Sequence, residues 1–142
     1  MRIVMKQNEN KEKADLSKIE ERFRNDRFAA SMGIHIQKVD NGYALCVLSV
    51  TEQMMNAAGS VMGGVYFTLS DFAFAVASNW NKPLTVSLSS NITFLSAAKG
   101  KRLIAEARCI KEGKTTCYYM IDVCDDTGSL VTSCIINGFI RR

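Results

Sequence analysis

Apolar residues recur along this chain in strand-like segments, and one long apolar stretch separates them into two groups. Alternation of apolar and polar residues predicts β-strands, because successive strand side chains point to opposite faces. The segment from Tyr43 to Val50 is apolar on both faces, and we therefore expect it in the interior of a sheet. The six predicted strands lie near residues 34–39, 43–50, 84–94, 102–109, 115–124 and 129–140.

Residues 61–79 predict a single long helix that is apolar nearly all round, with Ser60 as a candidate N-cap. Such a helix needs burial on most sides, which an antiparallel sheet wrapped around it provides. We therefore predict an α+β fold with one long central helix and a short N-terminal helix that ends before Gly33. Residues 1–14 are predicted to be a flexible polar leader, and residues 15–142 a single domain.

Two features of the long helix indicate chemistry. Gly63 and Gly64 open it, although glycine costs about 1 kcal/mol relative to alanine within a helix. Without a Cβ, another group can approach the free N–H donors of that turn. Asp71 follows two turns later in an apolar run, where a carboxylate is costly unless it is paired, solvated or used. Donors and carboxylate together suit attack on a polarised carbonyl; a purely structural Asp71 is the alternative.

The spacing of these residues resembles the core motif of a known family. Asn56, Gly63-Gly64 and Leu69-Ser70-Asp71 are similar to the motif of hotdog-fold acyl-CoA thioesterases of the PaaI-like, phenylacetate-pathway type. Residues 86–100 resemble the family's next strand and exit turn, and the likeness extends over about residues 30–141. The resemblance implies a hotdog fold, hydrolysis of acyl-CoA to free acid and coenzyme A, and a homodimer or homotetramer.

The resemblance also implies a role for individual residues. Asp71 is expected to act as a general base on water or as the nucleophile itself, and both alternatives stay open. Gly63, with Gly64, is expected to stabilise the oxyanion at the positive end of the helix dipole. Asn56 and Ser87 are expected to orient the reactants, with an ordinary loop asparagine and a solvated strand serine as the alternatives. Because the family builds its site across a dimer interface, Asp71 is expected to face the partner subunit's Gly63.

Met62 departs from the family pattern, which usually has a histidine at this position. Met62 and Gly64 are expected to contact the substrate, but the missing polar group puts the catalytic rate in doubt. A second function is therefore considered: a hotdog domain that binds acyl-CoA without turnover. His35 is the only histidine, matches no family role and is interpreted as structural. A Ser–His–Asp triad is accordingly poorly supported.

The net charge of +4 is modest, and the distribution of the charges matters more than their sum. Lys99, Lys101 and Arg102 cluster at one predicted turn, where we expect them to bind the phosphates of coenzyme A. A solvated charged rim is the alternative. Aromatic residues do not interleave with these cations, so a nucleic-acid partner is not expected.

The five cysteines are odd in number and include no Cys-x-x-Cys pair, so we interpret them as small apolar residues. We predict no metal and no separate cofactor, since coenzyme A is part of the substrate. Residues 53–70 lack charge but contain several polar residues, and Asp71 interrupts the run, so no membrane span or membrane partner is expected. These features predict a reduced, cytoplasmic protein.

Overall fold

The computed structural model describes residues 15–142, and the predicted leader over residues 1–14 lies outside them. Six strands form one antiparallel sheet in the order β1-β2-β4-β5-β6-β3. The strands are β1 (His35–Asp40), β2 (Tyr43–Ser49), β3 (Thr85–Phe94), β4 (Arg102–Glu112), β5 (Thr116–Asp125) and β6 (Leu130–Ile140). The helices are α1 (residues 15–23 of the described part), α2 (Arg27–Ser31), α3 (Gly63–Asn79) and a 3₁₀ turn (Glu52–Met54). The α+β architecture predicted from the sequence is confirmed.

The long helix α3 packs mainly across β2 and β4. The strand residues beneath it are small: Ala44 is paired with Ala107, and Cys46 with Ala105, and all four are fully buried. Small side chains at these positions let the helix approach the sheet closely and fill the space with its own larger residues. The prediction that β2 lies inside the sheet is confirmed, since β2 is flanked by β1 and β4.

Two details of the helices differ from the prediction. The long helix begins at Gly63 rather than residue 61, and its N-cap is Met62, so the assignment of Ser60 as the cap is wrong. The N-terminal helix is also interrupted, because α1 ends at Phe23 and α2 starts only at Arg27. The break turns the chain, so that α2 packs against α3 near Phe72.

The strand β3 is an edge strand that pairs with β6 alone. The sequence pattern predicts an apolar side of β3, but Val86, Leu88 and Phe94 are exposed, with 62% of Leu88 accessible. A register shift between Ser87 and Ser89 bends this strand. No helix within residues 15–142 has the length and apolar character needed to cross a bilayer.

Candidate active site

The N-terminus of α3 presents unused hydrogen-bond donors. Met62 caps the helix with extended backbone and without a side-chain hydrogen bond. Within residues 15–142, the N–H groups of Gly63 and Gly64 donate to no protein acceptor, whereas the Val65 N–H donates to the Met62 carbonyl at 3.0 Å. Free N–H groups at a helix N-terminus carry the positive end of the helix dipole. This end of α3 can therefore bind a carbonyl oxygen or an anion.

The two glycines have different surroundings. A Cβ on Gly63 would lie 3.0 Å from ring atoms of Phe94, whereas a Cβ on Gly64 would meet nothing within 4 Å. Gly63 and Phe94 line a pocket of about 410 Å³ together with Tyr66. Gly63 is thus closely packed against Phe94, and Gly64 borders open space. The sequence carries no signal that would have identified Phe94 as a neighbour of Gly63.

Asn56 organises the loop that leads into α3. Its Oδ1 atom accepts hydrogen bonds from the N–H groups of Ala58 and Ser60, each at 3.0 Å. Its own N–H donates to the Ser60 carbonyl at 2.7 Å. The Asn56 side-chain amide N–H groups have no acceptor within residues 15–142. Asn56 therefore fixes the loop and keeps two donors free.

Asp71 lies on the partly exposed side of α3, in a pocket of about 320 Å³ that is also lined by Asp26, Phe28, Thr68 and Phe72. Its carboxylate makes no hydrogen bond or ion pair within the described part of the chain. Burial raises the pKa of Asp71 above its ordinary value, and the negative charge of Asp26 raises that pKa further. An unpaired carboxylate with a raised pKa is a stronger base than an ordinary aspartate, which suits it to accept a proton.

Cys134 of β6 carries a thiol whose pKa is affected by the charge of Asp71. Burial raises the pKa of the Cys134 thiol to about 11, and the charge of Asp71 contributes to the increase. At neutral pH this thiol is therefore protonated and a poor nucleophile. Of these two groups, only the Asp71 carboxylate is ionised at an ordinary pH, so a thiolate of Cys134 is not available to compete with it.

Within one chain, Asp71 and Gly63 do not line the same pocket. Eight residues separate them along α3, which corresponds to about 12 Å along the helix axis. Ser87 lies apart from both pockets, exposed on β3 and paired with Gly138. The structure therefore places Met62 beside the two glycines at the start of α3 and Asn56 in the loop before them, and it holds Asp71 at a second place.

The backbone of the predicted basic turn donates hydrogen bonds to two aspartates. The sequence analysis did not identify these aspartates as neighbours of the turn. The Lys99 N–H donates to Asp125 at 2.8 Å, and the Lys101 N–H donates to Asp126 at 2.9 Å. The side chains of Lys99, Lys101 and Arg102 are exposed. The Asp125-Asp126-Thr127-Gly128 sequence is a turn signal. Its contact with a turn 25 residues earlier depends on the strand order and is not visible locally.

His35 lines neither the pocket of Gly63 nor that of Asp71. Its Nδ1 atom lies 3.0 Å from Glu20 Oε1, and its side chain is largely exposed. A surface pair of this kind contributes little to stability. Residues 15–142 contain no group of three or more His, Cys, Asp or Glu side chains that could hold a metal ion.

Comparison with known proteins places this fold and site in a family. Residues 58–132, a span that includes Gly63, Asp71 and Ser87, match the Thioesterase superfamily. The acyl-coenzyme A thioesterase PaaI of Escherichia coli is 37% identical over 102 residues, which cover 71% of this chain and 73% of the relative. The chain belongs to the thioesterase superfamily, and within it to the PaaI-like hotdog thioesterases, which are thioester hydrolases.

Solved structures confirm the predicted hotdog fold. The structure of the E. coli PaaI protein from the phenylacetic acid degradation operon has a TM-score of 0.84 at 29% identity, and the match covers 92% of this chain and 96% of that chain. A hypothetical thioesterase from Streptococcus pneumoniae, crystallised with coenzyme A, has a TM-score of 0.77 at 25% identity. That match covers 83% of this chain and 95% of the other.

Proposed function

We propose that this protein hydrolyses acyl-coenzyme A thioesters to a free acid and coenzyme A. The observation that carries the proposal is that one helix holds both free N–H donors, at Gly63 and Gly64, and an unpaired carboxylate, at Asp71. Relatives named acyl-coenzyme A thioesterase and a structural neighbour that holds coenzyme A support the choice of substrate. The acyl group is left open between aromatic and aliphatic classes.

In the proposed reaction, the thioester carbonyl oxygen accepts hydrogen bonds from the N–H groups of Gly63 and Gly64. Asp71 removes a proton from water as the water oxygen bonds to the carbonyl carbon; alternatively, the carboxylate itself attacks and water then hydrolyses the anhydride. In both routes the C–S bond breaks and the thiolate of coenzyme A takes up a proton. Donors directed at the developing oxyanion are worth about 10²–10³ in rate.

Asn56, Ser87 and Met62 complete the proposed site. The free amide donors of Asn56, in the loop that leads into α3, are suited to hold the water or the thioester. Ser87 offers a hydroxyl on the exposed edge strand, where a second chain would bring it towards substrate. The Met62 side chain is 58% exposed beside the glycines, so it is available to contact substrate rather than filling the core.

We further propose that two chains share each active site. The unpaired edge of β3 supports this, because residues 85–94 contain no charge and expose apolar side chains. Natural edge strands are usually protected by charge, proline or cover. Antiparallel pairing of two β3 strands would extend the sheet and bring Asp71 towards the partner subunit's Gly63. At least a dimer is expected, and a homotetramer is compatible with it.

A subunit-mixing experiment tests the shared site directly. Asp71→Asn and Gly63→Val are each expected to be inactive, but a mixed dimer carries one intact site. After partial unfolding and reassociation of an equal mixture, activity should return to about a quarter of wild type, as random pairing of two chains requires. Mixing either variant with itself is the matched control. A mixture that stays inactive, or a monomer by light scattering, would defeat the shared-site proposal.

The basic turn supplies the proposed phosphate contacts. Lys99, Lys101 and Arg102 are exposed and form no ion pair within the described part of the chain. Reversal of two of these charges should raise KM, leave kcat nearly unchanged and flatten the salt dependence of KM. The paired variant Lys111→Glu/Lys114→Glu, at another turn, is the control. Equal KM values in both variants would assign the turn to the solvated rim.

Turnover is best measured as loss of thioester absorbance with a panel of acetyl-, hexanoyl-, lauroyl-, benzoyl- and phenylacetyl-CoA. A thiol reagent is less suitable, because Cys109 and Cys124 are free and only partly buried, so their thiols would add to the signal. Turnover of any member supports the proposal and ranks the acyl groups. Saturable binding without turnover would indicate an acyl-CoA-binding domain instead.

The free thiols also support a reducing, cytoplasmic location, which fractionation of cells would test.

A further inference from the structure

Asp26 occupies a capping position but caps nothing. It precedes α2 with φ −74° and ψ 76°, and its side chain makes no hydrogen bond to the first turn of that helix. An aspartate at an N-cap ordinarily accepts a hydrogen bond from one of those N–H groups. The Asp26 side chain also forms no ion pair or other hydrogen bond within residues 15–142. Asp26 instead lines the same pocket as Asp71.

The other groups around this pocket do not neutralise the two carboxylates. Arg27 lines the pocket as well, but its guanidinium forms no ion pair within 4.0 Å with either aspartate. The Thr68 hydroxyl donates to the Gly64 carbonyl at 2.8 Å and carries no charge. From the sheet side, Cys134 of β6 remains a neutral thiol at neutral pH. Asp26 is therefore the group whose charge adds to burial in raising the pKa of Asp71.

We propose that Asp26 is a positioning residue for thioester hydrolysis, whose carboxylate repels the negative charge of Asp71 across their shared pocket and so tunes Asp71 as a base. A base is most effective when its pKa lies near the working pH, so a second carboxylate beside it strengthens catalysis at neutral pH. The acid limb of the pH profile should then depend on a residue that does not touch the substrate. The inference rests on the proposed role of Asp71.

The test is the pH dependence of kcat/KM in Asp26→Asn. The acid limb should move to lower pH, and the rate on the neutral plateau should fall by about two- to fivefold because Asp71 becomes a weaker base. Asp26→Glu should restore the wild-type profile. Raising the ionic strength should move the wild-type limb towards that of Asp26→Asn, because salt screens the repulsion.

Glu21→Gln is the matched control, since Glu21 is exposed, lies on α1 outside the pocket and loses the same charge. An Asp26→Asn limb that coincides with wild type, or an equal shift in Glu21→Gln, would overturn the proposal. A readout independent of turnover separates it from the proposed function. The carboxyl carbon resonance of Asp71, assigned through Asp71→Asn, should titrate at lower pH in Asp26→Asn even if the enzyme hydrolyses none of the acyl-CoA panel. An unchanged titration of Asp71 in Asp26→Asn would refute the proposed role of Asp26 and would leave the proposed thioesterase function untouched.

Discussion

Two aspartates in this molecule differ in almost every physical respect. Asp125 is 1% exposed, and it accepts hydrogen bonds from the N–H groups of Lys99, Gly100, Thr127 and Ser129 and from the Thr127 hydroxyl. These bonds hold the pKa of Asp125 well below its usual range. Asp71 is more exposed, but it has no partner within the described part of the chain, and its pKa is raised.

The difference separates a structural carboxylate from one that is free to react. A charge surrounded by donors is stabilised, and removing it leaves those donors unsatisfied. A charge without partners costs folding free energy, and such a cost persists mainly where function requires it. Burial alone does not make the distinction, because Asp125 is the more buried of the two. The hydrogen-bond partners do.

The largest expected effect follows replacement of the unpaired carboxylate. Asp71→Asn should lower kcat by at least ~10²-fold, with acyl-CoA binding largely retained. Its melting temperature at pH 7 should equal or exceed that of wild type, because an unfavourable charge is removed. Since the pKa of Asp71 is raised on folding, wild type loses stability as pH rises through the folded pKa. The melting temperatures of Asp71→Asn and wild type should therefore become equal in acid, below the ordinary pKa of aspartate.

Thermal melts across pH, together with steady-state kinetics, check this prediction. Asp71→Glu keeps the charge and serves as the control. Near-normal turnover in Asp71→Asn would remove Asp71 from the mechanism. A strong loss of stability at pH 7 would place Asp71 in the same structural class as Asp125.

The stability of Asp125→Asn relative to wild type should depend on pH in the opposite way to that of Asp71→Asn. An amide at this position points donors at the N–H groups of Lys99 and Gly100, so the melting temperature at pH 7 should fall by several degrees. Because the pKa of Asp125 is lowered on folding, its stabilisation is lost as pH falls from the ordinary aspartate range towards the folded pKa. The gap to wild type should therefore narrow in acid.

Calorimetry at several pH values measures that gap, and Glu21→Gln, which removes an exposed carboxylate, is the control. At a temperature where the Asp125→Asn protein stays folded, kcat should remain within about threefold of wild type, since the variant changes folding rather than the transition state. A kcat loss comparable to that of Asp71→Asn would break the comparison.

Alanine substitutions at the paired glycines extend the comparison to the donor end of α3. In Gly63→Ala the new Cβ would crowd the Phe94 ring, so the helix start should shift and kcat should fall by about tenfold. In Gly64→Ala the Cβ enters open space, and the helix should gain up to about 1 kcal/mol in stability. If substrate approaches that space, KM should rise while kcat changes little. A Gly64→Ala enzyme with wild-type KM would exclude Gly64 from the substrate wall.

The sequence predicts most of the fold because its local patterns agree with the final packing. The six strands and α3 fall within a few residues of the predicted bounds, since strand alternation and an all-apolar helix are both local properties. The predicted start of α3 is wrong because Ser60 is a good capping residue by type, yet its N–H and carbonyl both bond to Asn56 in the preceding loop, and the helix begins only at Gly63. The break between α1 and α2 contains no Gly or Pro, and its only signals are the turn-favouring Asn25 and Asp26.

The candidate site is only partly visible in the sequence. Asp71, the two glycines and Asn56 have a recognisable spacing in the sequence, and their catalytic roles stay predictions. Phe94 against Gly63, Asp26 beside Asp71, and Asp125 beneath the basic turn are contacts between distant segments. Such contacts depend on strand order and helix placement, which no local pattern specifies. The proposed second chain belongs to the same class.

The smallest effect is expected at Met62, where the family usually has histidine. Met62 is the exposed N-cap of α3 and makes no side-chain hydrogen bond to the helix, so an imidazole there would lie beside the free donors of Gly63. If Met62→His supplies one neutral hydrogen bond to the developing oxyanion or its water, the gain is about 0.5–1.5 kcal/mol, or several-fold in rate. The gain should appear in kcat rather than KM, because the interaction forms in the transition state.

Met62→Gln, which adds a polar group of similar length, is the control for a general polar effect. Kinetics with melting temperatures decide the outcome: an unchanged or lower kcat in a normally folded Met62→His protein would mean that this site works without a histidine, with Asp71 and the glycine donors carrying the reaction.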